Sequence, residues 1–184
     1  MLMLVGKSCS GKTTIANEIK QLGLKEIVSY TTRPPRPGEV EGITYHFITK
    51  EDFLDKKRQG FFAETVSYNV ASGETWYYGS AVEDLSDDKV IIVNPHGLEQ
   101  LRKIKSLNPV AFYITAGEKT IWNRLRDRGD NADEARRRLK ADDIDFSGII
   151  NDVDFAFSNG IGLSPKTLAG IILDTYKKVI GENT

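Results

Sequence analysis

Near the start of the chain, Gly6-Lys7-Ser8-Cys9-Ser10-Gly11-Lys12-Thr13 reads G-x-x-x-x-G-K-T. This is the phosphate-cradling P-loop, in which backbone N–H groups wrap the phosphates, the lysine reaches the β/γ oxygens and the hydroxyl ligates Mg²⁺. Here the lysine is Lys12, and Thr13 supplies the one metal ligand the motif points to. Gly6 and Gly11 let the backbone turn tightly around an anion. The apolar-periodic run that begins at Thr14 predicts a helix whose N-terminus adds a positive field. Gly6 through Thr14 are therefore the expected contacts of a nucleoside triphosphate.

Two further groups of residues have the chemistry to handle phosphate. Arg33 and Arg36 lie in Ser29-Tyr30-Thr31-Thr32-Arg33-Pro34-Pro35-Arg36-Pro37-Gly38-Glu39, on a loop stiffened by prolines. A guanidinium grips phosphate oxygens bidentately, and a stiff loop loses less entropy on binding. Taken alone, the same loop also reads as a solvated surface turn. Arg124, Arg126, Arg128, Arg136, Arg137 and Arg138 fall on two helical segments joined by Gly129-Asp130-Asn131. Arg126, Arg136 and Arg137 read as solvated charges paired with Asp127, Asp130, Asp133 and Glu134. Cys9 reads as a small filler within the P-loop, and Trp76 and Trp122 as packing residues. His46 and His96 lack partners at metal spacing, so no zinc site is expected.

In this order, the P-loop, S-x-T-T-R-P-P-R-P-G-E, Tyr45-His46-Phe47, Phe61-Phe62-Ala63-Glu64 and Tyr77-Tyr78-Gly79-Ser80 make the chain resemble guanylate kinases from Met3 to about Asn159. The resemblance implies an ATP-dependent nucleoside monophosphate kinase that converts GMP, and by extension dGMP, to the diphosphate with Mg²⁺. It implies that Ser29, Glu64 and Ser80 read the guanine, and that Arg33, Arg36, Tyr45 and Tyr78 hold the acceptor phosphate. Arg124, Arg128 and Arg138 match its lid motif, whose arginines close over the triphosphate. Lys12, Arg33 and these three lid arginines are then the catalytic set, and Asn159 lies near the ATP base. Guanine chemistry agrees, because adjacent N1–H and N2–H₂ donors match one carboxylate, whereas adenine has no N1–H and leaves that carboxylate desolvated and unpaired.

Two departures stand out. Asn94, counted among the acceptor-site residues, occupies the place of an aspartate that the family keeps near Mg²⁺, and Asn69 to Glu74 exceed the usual spacing. These leave open a related phosphotransferase with another small phosphorylated acceptor. A catalytically silent interaction domain is a further alternative, against which the intact Lys12, Thr13, Arg33, Arg36, Arg124 and Arg128 argue. No N-K-x-D motif points to a regulatory GTPase.

Elements must hold these groups. Short apolar runs at Leu2–Val5, Glu26–Ser29, Val90–Val93, Val110–Ile114 and Asp154–Phe157 predict a five-stranded parallel sheet, several strands being buried on both faces. Helical periodicity marks Thr14–Leu22, Gly97–Lys105, Glu118–Arg128, Ala132–Ile144 and Pro165–Ile180, with a frayed end after Gly181. The expected fold is α/β: a P-loop doubly wound parallel sheet with an inserted mixed α/β monophosphate-binding lobe and a helical lid. One domain of 184 residues is expected, with a core of 1–29 and 81–184, a lobe of 30–80 holding a helix at Lys50–Arg58 and β pieces such as Ile43–Ile48, and a lid at about 124–146. Basic and acidic residues number 25 and 26, so no bulk attraction to nucleic acid or an anionic membrane arises. One cysteine and the absence of a leader-like or membrane-spanning run predict a cytoplasmic protein, monomer or homodimer, whose partners are small nucleotides.

Overall fold

The computed structural model describes residues 1–70, 73–104, 106–160 and 162–181. Its central sheet is parallel throughout. It is built from β1 (Leu2–Val5), β2 (Lys25–Glu26), β7 (Lys89–Val93), β8 (Val110–Thr115) and β9 (Phe155–Ser158), in the order β2-β7-β1-β8-β9. Strand β1 is buried along its whole length, and the alternation of side chains divides its residues between two cores. Leu2 and Leu4 pack with Ile15, Ile19, Leu168 and Ile172 from α1 (Lys12–Gln21) and α6 (Pro165–Ile180). Met3 and Val5 pack on the other face with Leu98 and Leu101 of α3 (Pro95–Arg102) and with Phe146. A sheet covered by helices on both faces is the α/β architecture expected from its nearly continuous apolar strands.

The second strand is shorter than the predicted Glu26–Ser29. The Ile27 N–H still reaches Val90, and the chain then leaves for a second sheet, where the Ser29 carbonyl accepts from the His46 N–H. That sheet has the order β4-β3-β6-β5, from β3 (Tyr30–Thr31), β4 (His46–Phe47), β5 (Phe62–Asn69) and β6 (Thr75–Ala81). Helix α2 (Lys50–Arg58) packs Phe53 against Phe62 beneath it, and Thr49 caps its N-terminus. Strand β4 falls within the predicted piece Ile43–Ile48, while the long β5–β6 hairpin goes beyond the short pieces that the sequence suggested. Of the extra residues, Asn69 ends β5, and the Val70 N–H donates to the Glu74 carbonyl at 2.9 Å.

Helices α4 (Glu118–Asp127) and α5 (Ala132–Asp145) form a hairpin beside the P-loop. The first helix begins at Lys12, earlier than predicted, and α3 runs from Pro95 to Arg102 because Asn94 caps it. The last strand starts at Phe155, one residue late. The Asp154 carboxylate is taken up instead by the Ala111 N–H and Arg102. Of the expectations above, Lys105, Ala71, Ser72 and the terminal Glu182 to Thr184 lie outside the described residues.

Candidate active site

The P-loop runs from the carboxyl end of β1 into α1. Gly11 has φ of 97°, and a Cβ there would lie 2.1 Å from Asn159 Nδ2, so only glycine fits. A Cβ on Gly6 would meet the Ile114 carbonyl at 2.4 Å. Cys9 is more than a filler: its φ of 58° places it in the left-handed region, and its Sγ accepts from Arg128 at 3.4 Å. Among the described residues no side chain caps the N-terminus of α1, which leaves its N–H groups for an anion. Lys12 Nζ folds onto the Gly6 and Lys7 carbonyls at 2.6 and 2.9 Å. Burial pushes its pKa down to about 8, so at neutral pH it keeps its proton, and a bound phosphate would raise it again.

Two side chains brace the loop from outside. Arg124 donates to the Cys9, Ser10 and Asn159 carbonyls, and the buried Asn159 donates to Ser10 O at 2.8 Å. Two more contacts come from α5, where Asp142 accepts from the Ser8 N–H and Asp143 from Lys7, both at 2.6 Å. A cavity of about 480 Å³ opens here, lined by Lys12, Thr13, Thr14, Arg124, Arg128 and Asn159.

The lobe faces the same loop. In the adjoining cavity of about 280 Å³, Ser29 Oγ lies 3.0 Å from Ser80 Oγ, which donates to Glu64 Oε1 at 2.9 Å. Glu64 is buried, and this desolvation raises its pKa to about 7 even though Ser80 opposes the shift. Alternation along β5 turns Val66 and Tyr68 into the same cavity as Glu64. Arg33 is also buried. Glu39 holds its guanidinium bidentately at 2.8 and 2.9 Å, and Tyr45 lies beneath it at 5.4 Å. Burial raises the Tyr45 phenol, which keeps it a donor. Arg33, Arg36, Tyr45, Tyr78, Thr13 and Arg128 line a third cavity of about 550 Å³ between the lobe and the P-loop.

Residues 1–154 match the family model described as Guanylate kinase. A guanylate kinase of Nostoc sp. is 33% identical over 170 residues, covering 83% of this chain and 82% of its own length. One from Nitratidesulfovibrio vulgaris is 36% identical over 152 residues, covering 76% of this chain and 69% of its own. The chain belongs to the guanylate kinase family. The crystal structure of guanylate kinase from Anaplasma phagocytophilum shares the fold, with a TM-score of 0.70 at 24% identity over 97% of this chain and 85% of that one.

Within this guanylate kinase fold, the predicted donor residues Gly6 to Thr14, Arg124, Arg128 and Asn159 surround the P-loop. The predicted acceptor residues Ser29, Arg33, Arg36, Tyr45, Glu64, Tyr78 and Ser80 line the facing cavities or bond to groups that do. Arg138 is placed differently, turned within the α4–α5 hairpin to Asp130, which Arg128 also approaches. Asn94 lines the same cavity as Glu64 with its amide engaged: Oδ1 accepts from Gly97 N at 2.8 Å and Nδ2 donates to Tyr68 OH at 2.8 Å.

Glu39, Tyr68 and Asp142 were missed as site residues. Glu39 closes the P-R-P-G-E motif and sits three residues after Arg36, a signal the spacing already offered. Tyr68 was hidden in a strand that polar residues disguise. Asp142 reaches the site only because α5 docks on the P-loop.

Proposed function

We propose that this chain transfers the γ-phosphoryl group of ATP to GMP, giving ADP and GDP. The observation that carries the reading is the buried Glu64 carboxylate, held by Ser80 and facing the P-loop across one cavity. Guanine offers that carboxylate two donors, and Ser29 and Ser80 offer hydroxyls within reach of an O6 acceptor. No general base is needed, because the acceptor phosphate is already ionised. Arg33 and Arg36 hold it in the cavity that also contains Thr13 and Arg128, which suits an in-line attack on the γ-phosphorus. Lys12 and the lid arginines Arg124 and Arg128 neutralise charge as the phosphoryl group moves.

Among the described residues, no group of three or more His, Cys, Asp or Glu side chains forms a metal cage. The chain fits Mg²⁺ held mainly by the nucleotide, with the Thr13 hydroxyl as its protein ligand. Bound there, the ion would draw charge from the β and γ oxygens. Asn94 brings no negative charge, and its Oδ1 is already taken by Gly97. Small nucleotides suffice as partners. No helix among the described residues is long and apolar enough to cross a membrane, and a cytoplasmic setting suits the reaction.

The reading is tested by coupled detection of ADP formation with MgATP across the common nucleoside monophosphates. Turnover confined to GMP and dGMP is expected. Equal turnover of AMP, CMP or UMP would refute it.

A further inference from the structure

Strand β5 lies at the edge of the lobe sheet, since among the described residues β6 is its only neighbour in the order β4-β3-β6-β5. Its outer edge therefore presents backbone N–H and C=O groups that no strand satisfies. At one residue, Thr65, both groups are taken by a single side chain from the core. Gln100 Oε1 accepts from Thr65 N at 3.1 Å, and Gln100 Nε2 donates to Thr65 O at 2.9 Å. A carboxamide carries one acceptor and donors on the same plane, so it completes a strand edge as a backbone peptide would. The residue before Thr65 is Glu64, and the pairing of β5 with β6 is irregular between Phe62 and Glu64. A bulge aims a side chain but loosens the ladder around it, so the strand needs a second support at this point.

Helix α3 supplies that support along one face. Residues three apart on a helix lie one above the other. Asn94, Gly97 and Gln100 have this spacing, and each meets β5. Asn94 Nδ2 bonds the Tyr68 hydroxyl, and a Cβ on Gly97 would stand 3.2 Å from Glu64 Oε2. Gly97 thus lets the helix approach the carboxylate closely, while Gln100 fixes the backbone that carries it.

We infer that Gln100 is a positioning residue for recognition of the monophosphate base, tying the Glu64 segment of the lobe to core helix α3. This rests on the reading of Glu64 as the guanine contact. Gln100 touches no substrate; it acts through Thr65 on Glu64. The inference separates it from Glu99, its exposed neighbour, which pairs with Lys103 in solvent.

The test is steady-state kinetics of the full chain with Gln100→Met, which keeps the side-chain volume and removes both bonds, and Gln100→Glu, which keeps an acceptor but sets a carboxylate against the Thr65 carbonyl. Both variants are expected to raise the GMP KM about tenfold, as lost hydrogen bonds at one site would. The KM for ATP is expected to stay within about twofold, and Glu99→Gln to leave both constants unchanged. A pH series adds a readout that general loosening would not give. A freed strand solvates Glu64, so the acidic limb of GMP affinity is expected to move about one pH unit lower in Gln100→Met. An unchanged GMP KM in Gln100→Met, or equal losses for GMP and ATP with no movement of the limb, would overturn the positioning role. A wild-type chain that does not phosphorylate GMP would overturn the guanine reading, and this inference with it.

Discussion

Glu64 is a buried acid whose charge costs energy until a donor pair meets it, and in the function proposed above that pair is the guanine edge. Its folded pKa of about 7 lies above the ordinary 4.5, so below about pH 7 the empty protein favours the protonated form. The sign follows from linkage: this group's contribution to stability is full below pH 4.5 and is lost as pH rises through about 7. In the proposed function guanine binds the ionised form, so binding and folding pull in opposite directions. GMP affinity should therefore fall about tenfold per pH unit below pH 7, measured by calorimetric titration, and Glu64→Gln should abolish that slope along with most of the affinity. A wild-type affinity flat from pH 5 to 8 would show that Glu64 does not meet the base. Arg33 makes a second residue-level case. Only 4% of its side chain is exposed, and Glu39 is its bidentate partner. Glu39→Gln leaves a buried cation poorly matched, and urea unfolding should show a loss of about 3 kcal/mol. A loss under about 0.5 kcal/mol would class the pair with solvent-exposed ion pairs.

Helix α5 sets the state of the donor site through Asp142. Its carboxylate accepts from Ser8 N–H at 2.6 Å, a group the P-loop offers to phosphate. An incoming triphosphate must displace this contact. Asp142→Asn weakens it, and ATP binding measured by calorimetry should tighten about fivefold. Weaker binding in the variant would mean that Asp142 supports the nucleotide instead. Such a contact leaves no trace in sequence, because it depends on where a helical hairpin docks. Other elements were legible. The predicted α2 and α6 match Lys50–Arg58 and Pro165–Ile180, since Thr49 and Ser164 cap them and their apolar spacing is regular. Strand β1 was visible because both its faces are buried. Strand β5 was not, since the face carrying Glu64 and Tyr68 is turned to a ligand cavity and breaks the apolar alternation. Strand β2 was overextended because Val28 and Ser29, though strand-like, carry the chain across to the lobe.

At the scale of the whole molecule, the two sheets place the P-loop opposite Arg33 and Arg36, the two surfaces proposed above to bind phosphate. The P-loop, set by β1 and α1, was readable from a motif, as were the arginines facing it. Their separation across a cavity lined by Thr13, Arg33 and Arg128 was not, because it depends on the lobe's own sheet and on the tether from α3. A ligand that bridges the two surfaces binds only the folded chain. GMP at about a hundred times its Kd should therefore add about 2.7 kcal/mol to unfolding stability, seen as a rise in melting temperature. AMP at the same concentration should add little. The most direct test of the central claim is the ratio of kcat/KM for GMP over AMP, measured with saturating MgATP at pH 7.5. The arrangement of Glu64, Ser80 and Ser29 predicts a ratio of about 10⁴ or more, as sites built to hydrogen-bond a substrate reject analogues lacking the donor. A ratio below about ten would contradict it.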